Sequence, residues 1–138
     1  LASPNLKDGL VSVIDMTTWK PVKAIATPGP GFFMRSHEGS RYAWVDSMMS
    51  PHKDTLQVID KQTLAVVAEL RPVPGKTLAH VEFTRDGRYV LASLMENDGA
   101  IIVFDAVTLK EVKRIPASKP VGKYNVFNKI NRSEGTSH

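Results

Sequence analysis

Three imidazoles are the side chains best suited to chemistry in this sequence. His37 closes an apolar run over residues 32–36, His80 opens another, and His52 lies in the loop of residues 48–54. An imidazole can act as acid, base or axial metal ligand near neutral pH, although an isolated one more often supports structure or faces water. No pair has the spacing of an HExxH helix, so zinc finds little support. Cysteine is absent, which excludes disulfides, thiolate catalysis and thiolate-held zinc or iron–sulfur centres. With no CxxCH there is also no covalent c-type heme in this stretch. The serines lack a GxSxG elbow. Gly29-Pro30-Gly31 is followed by neither GK[ST] nor a helix, so it reads as a stiff connector and not as a phosphate loop.

The formal net charge is +4, but Lys and Arg are interleaved with carboxylates over most of the chain, which argues against nucleic acid as a partner. In the last third, Lys119, Lys123, Lys129 and Arg132 have only Glu134 as near acidic company. Such a patch either solvates a surface or meets a ligand carrying several carboxylates. Trp19, Trp44, Tyr42 and Tyr89 read as packing aromatics and not as a platform for stacked bases.

The elements that would position these groups repeat. Residues 8–25 (DGLVSVIDMTTWKPVKAI), 53–70 (KDTLQVIDKQTLAVVAEL) and 98–115 (DGAIIVFDAVTLKEVKRI) superpose, aligning Asp15, Asp60 and Asp105 at an interval of 45 residues both times. Thr18, Thr63 and Thr108 coincide as well. Short Val- and Ile-rich runs broken by Asp, Thr and Gly predict strands, and each Asp-x-x-Thr predicts a hairpin turn whose side chains cap amides. A second kind of hairpin lies between them, FFMRSHEGSRYAWVD (32–46) and HVEFTRDGRYVLASL (80–94), turning at Glu38-Gly39 and Asp86-Gly87. Four antiparallel strands in about 45 residues make one blade of a β-propeller.

The fold class predicted is therefore all-β, a β-propeller fragment of about two and three-quarter blades. Residues 9–25 supply two strands, 31–70 and 79–115 a full blade each, and 122–128 one more strand. Residues 1–128 form the blades and 129–138 a polar C-terminal tail. Because propellers close with roughly four to eight blades, the chain is expected to belong to a longer protein or to complete a ring with others, and the fragment alone to associate with itself or other chains. Opening on Leu1 without Met fits a processed or truncated product. No apolar run approaches the ~18–20 residues that span a bilayer.

Three stretches are more specific than the repeat: FFMRSHEGSRYAWVD, AHVEFTRDGRY and the closing KPVGKYNVFNKINRSEGTSH. Their order and spacing resemble the C-terminal part of the heme d1-binding propeller of the cytochrome cd1 nitrite reductase family. Within it, GKYNVFNK and SEGTSH are most similar to the NirF group of heme d1 biosynthesis proteins. The resemblance covers essentially the whole chain. It implies the last third of an eight-bladed, periplasmic propeller that binds heme d1 or a late precursor at the channel mouth. His37 takes the place of the family's distal-side histidine, which makes it the candidate heme iron ligand. Gly122 and Tyr124 take the places of the glycine and aromatic that contact the macrocycle, with Val121 where threonine is usual. His80 stands where the reductase tends to have glutamine, so a second imidazole joins His37 as a candidate catalytic and cofactor-binding group, and nitrite reduction itself is put in doubt.

These implications leave three functions in play. The protein is an enzyme, an oxidoreductase modifying a side chain of a heme d1 precursor. Or it carries heme d1 to cytochrome cd1 nitrite reductase without chemistry. Or, from another class, it is a propeller that binds a protein or peptide. An oxidation would need an electron partner, since the chain holds no dinucleotide fingerprint. A small c-type cytochrome docking at the basic patch would suit.

Overall fold

The computed structural model describes residues 1–122. Among them are eleven strands and no helix, arranged as three antiparallel meanders. The first sheet contains β1 (Ala2–Pro4), β2 (Leu10–Ile14) and β3 (Pro21–Ala26). The second contains β4 (Met34–Ser36), β5 (Tyr42–Asp46), β6 (Leu56–Asp60) and β7 (Ala65–Leu70). The third contains β8 (Leu78–Phe83), β9 (Tyr89–Leu94), β10 (Ala100–Asp105) and β11 (Glu111–Pro116). The two four-stranded sheets are the two full blades the repeat predicts. β1 is an addition, pairing Ala2 with Val13 and Pro4 with Val11; three residues ending in Pro carry no alternation to read, and Pro is tolerated there because the strand is an edge. The further strand expected over 122–128 lies outside the described residues, apart from Gly122, which is in no strand.

The Asp-x-x-Thr turns share one construction. A single carboxylate oxygen accepts the next two free amides: Thr17 and Thr18 on Asp15, Gln62 and Thr63 on Asp60, Val107 and Thr108 on Asp105, at 2.6–3.2 Å. Bonds from the Thr18 and Thr108 amides hold the Asp15 and Asp105 carboxyls below the ordinary range. The residue that follows, Trp19, Leu64 or Leu109, adopts positive φ (56°, 52° and 62°) and donates its amide to the Asp carbonyl. Each outer strand then slips one residue against its neighbour, as a bulged hairpin does.

Successive sheets pack face to face, and period-two alternation along β5 decides which side chain enters which seam. Trp44 joins Leu56 and Val58 against Val81, Phe83, Val90, Ile102 and Phe104 of the third sheet, its ring 5.5 Å from that of Phe104. Val45 and Ile59 point the other way, onto Val11 and Ile25 of the first sheet. The inner strands β4 and β8 lie side by side. One end of this pair carries the connectors into them, and the other carries the tight turns 37–41 and 84–88.

Candidate functional site

At the first of these ends lies a hollow of about 270 Å³ lined by Phe32, Phe33, Met48, Met49, His80, Met95, Val121 and Gly122. It is smaller than the ~300–1,000 Å³ that encloses a drug-sized ligand, so it can receive an edge or a face of something larger. Its rings and thioethers make a flat, polarisable apolar wall, and His80 is the titratable member of that lining.

The local sequence explains how the wall is held. Gly31 lies flat on the end of β5: a Cβ there would meet the Asp46 carbonyl oxygen at 2.2 Å, so only glycine allows this approach. Phe32 and Phe33 follow directly, and their amides donate to the Asp46 carboxylate at 2.8 and 3.2 Å. The same carboxylate accepts the Met48 amide at 3.3 Å and, from the neighbouring sheet, the His80 amide at 3.3 Å. Asp46 is fully buried. Burial pushes its carboxyl above the ordinary range, against the pull of these four amides.

His80 sits on a β-bulge. The β8–β9 register runs Ala79 with Ser93 and resumes at Glu82 with Leu91. His80 itself has φ of 55°, the left-handed region that non-glycine residues seldom enter, though histidine does so more readily than most. Bulges of this kind re-aim a side chain beside active sites. The imidazole is thereby set 4.4 Å, centroid to centroid, from the Phe33 ring. Farther along the same inner strands, Arg35 of β4 meets Glu82 of β8 at 3.1 Å, and Glu82 also accepts the Phe83 amide.

The candidate residues part company here. His80 and Gly122 border the hollow, and Tyr124 lies outside the described residues. His37 is at the opposite end of the inner strands, in the turn after β4. Its Nδ1 accepts the Gly39 amide at 3.0 Å, which leaves Nε2–H to donate to the Arg85 carbonyl at 3.1 Å. Gly87, at φ of 70°, makes room for it, since a Cβ there would lie 2.4 Å from Nδ1. With both nitrogens engaged in this turn, His37 is not placed to ligate an iron in the hollow. The two histidines are not at equivalent strand ends because the repeat interval is not kept through the inner hairpins. Asp86 follows Glu38 by 48 residues, so the counterpart of His37 is Arg85 and that of His80 is Phe32. His52 is exposed in its loop. Of the basic patch, Lys119 is exposed, and Lys123, Lys129 and Arg132 lie outside the described residues.

Sequence reasoning missed Asp46, Arg35 and Glu82. Their signal was a charge inside an apolar inner run (FFMRS, YAWVD, HVEF), where desolvation demands a partner.

Comparison with known proteins agrees with this fold. The cytochrome D1 heme domain family matches residues 1–129. A dihydro-heme d1 dehydrogenase from Pseudomonas aeruginosa is 58% identical over 99% of this chain and 28% of its own length. NirF proteins of Stutzerimonas stutzeri and P. aeruginosa are 35% and 36% identical over 81% of the chain, again 28% of theirs. The chain therefore stands nearer to the dehydrogenase, NirN, than to NirF, which corrects the narrower resemblance. The chain spans 28% of the length of these relatives. Among solved structures, dihydro-heme d1 dehydrogenase NirN in complex with DHE superposes with a TM-score of 0.90 over 94% of this chain and 28% of that one. Hydrazine synthase of Kuenenia stuttgartiensis, at 18% identity, shares the fold with a TM-score of 0.75 over 85% of this chain and 34% of its own.

Proposed function

Because the chain belongs to the cytochrome D1 heme domain family, we propose that the protein binds a heme d1-type tetrapyrrole at the hollow beside His80 and takes part in oxidising a dihydro precursor of heme d1. The observation that carries this reading is the apolar wall with a single imidazole set into it. The residues suit the group: Phe32, Phe33, Met48 and Met95 offer flat, soft contact to a macrocycle face, and His80 offers a nitrogen. When bound, the tetrapyrrole supplies the conjugated system that gives up electrons. The chain binds and orients it and keeps water from the apolar side, and His80 is the group placed to accept a proton.

Oxidation of this kind removes two hydrogens as two protons and two electrons, so an electron acceptor is needed. A small c-type cytochrome in the periplasm is the acceptor this reading proposes, with the region of Lys119 as its docking surface.

The test uses the full-length protein, titrated with heme d1 while the visible spectrum is recorded and then incubated with the dihydro precursor and an oxidised c-type cytochrome. The expected result is saturable binding, reduction of the cytochrome and a product lighter by two hydrogens. Binding without turnover would reduce the protein to a carrier, and no spectral change would overturn the reading.

A further inference from the structure

We propose that Asp46 is the positioning residue of the hollow, a buried carboxylate that sets the apolar wall and His80 in register with each other. This rests on the reading of the hollow as a tetrapyrrole site. Four backbone amides converge on this one side chain. Phe32 and Met48 donate to Oδ1, and Phe33 and His80 to Oδ2, at 2.8–3.3 Å. They come from three separate segments: the connector into β4, the loop after β5 and the bulge of β8 in the next sheet.

The His80 bond matters most. At the bulge the β8–β9 ladder skips this residue, so its amide looks across the seam, and the Asp46 carboxylate receives it. The bond runs between sheets and holds a residue with φ of 55° in a conformation its own backbone disfavours. The Phe33 amide is held on the same oxygen, and the Phe33 ring lies against the His80 ring. One carboxylate oxygen thus fixes both partners of the aromatic contact by their backbones. An asparagine of the same shape presents one carbonyl oxygen and one NH2, so two of the four amides would face a donor instead of an acceptor.

The experiment compares Asp46→Asn with Asp54→Asn in the full-length protein. Asp54 is also a buried carboxylate, but it binds Gly75 and Arg71 away from the hollow, so it controls for loss of stability alone. With heme d1 as the probe, Asp46→Asn is expected to weaken binding about tenfold and to move the visible bands, because losing acceptors for buried donors costs on this scale. Asp54→Asn is expected to change neither. Binding and bands in Asp46→Asn equal to those of the unaltered protein would overturn the proposal. Should that variant not fold, Asp46→Glu keeps the charge and the acceptors while moving them by one methylene, and is read the same way.

A second measurement separates this proposal from the reading beneath it. Amide hydrogen exchange at Phe32, Phe33 and His80 in the ligand-free protein is expected to quicken in Asp46→Asn and not in Asp54→Asn. If the unaltered protein takes up no tetrapyrrole but the exchange result holds, the functional reading falls and the positioning role stands. Unchanged exchange sinks the positioning role whatever binds.

Discussion

The Arg35 guanidinium and the Glu82 carboxylate meet at 3.1 Å across the seam between the inner strands β4 and β8, with 1% and 5% of their side chains exposed. An ion pair so deeply desolvated adds little net stability, but each partner becomes indispensable to the other, since removing one strands a buried charge. Arg35→Met or Glu82→Gln alone is expected to cost about 3–5 kcal/mol. The pair replaced together by apolar residues should cost less than the two losses summed. Urea denaturation of the full-length protein decides; strict additivity would mean the pair is not coupled.

Trp44 fills the larger seam and is fully buried. Trp44→Ala is expected to destabilise by about 3–5 kcal/mol, and Val11→Ala in the smaller seam by clearly less. Equal losses, read from thermal midpoints, would show that the two seams are packed alike.

Asp54 sets a pH dependence. Its carboxyl is lowered from 3.8 to about 2, first by the Gly75 amide at 2.5 Å and further by Arg71, against the opposing effect of burial. A carboxyl depressed on folding contributes stability that is complete above the unfolded value of 3.8 and lost as pH falls through about 2. Asp54→Asn should therefore flatten the stability profile between these values while leaving its shape above pH 5 unchanged. A profile as steep as that of the unaltered protein would assign the acid sensitivity elsewhere.

The two histidines should separate in their effects. His80→Ala is expected to weaken tetrapyrrole binding and shift the visible bands. His37→Ala should lower stability by about 1–3 kcal/mol through two lost hydrogen bonds and leave the bands in place. Band shifts in His37→Ala and none in His80→Ala would reverse the assignment made from the hollow.

The strand pattern was legible because it rests on local rules. Val and Ile runs and the Asp-x-x-Thr turn each act within a few residues, so both complete sheets could be read to within about three residues of their observed ends. The site was legible only in part. His80 and Gly122 could be chosen, but placing His37 beside them required that a spacing kept by the outer hairpins also hold in the inner ones. The inner hairpins break it, because the loop that follows them is longer in the second sheet (47–55) than in the third (95–99), so the inner turns stand farther apart than the outer ones. Asp46 stood out only as a charge in an apolar run, and its role was not legible for another reason. Its partners are backbone amides, which leave no mark on residue types, and one of them belongs to a bulge in a different sheet.

The seam between the second and third sheets is fastened along its whole length, with Asp46 to His80 at one end, Arg35 to Glu82 in the middle and His37 to Arg85 at the other. Directional bonds at three heights resist shear, so these two sheets should move as a single plate. The seam between the first and second sheets has at its centre the aliphatic contacts of Val11, Ile25, Val45 and Ile59, which tolerate sliding because no angle has to be kept. Mechanical compliance is then unevenly distributed among the described sheets: the plate keeps the backbones of Phe33 and His80 in a fixed relation through Asp46, and the aliphatic seam behind it is where these sheets give.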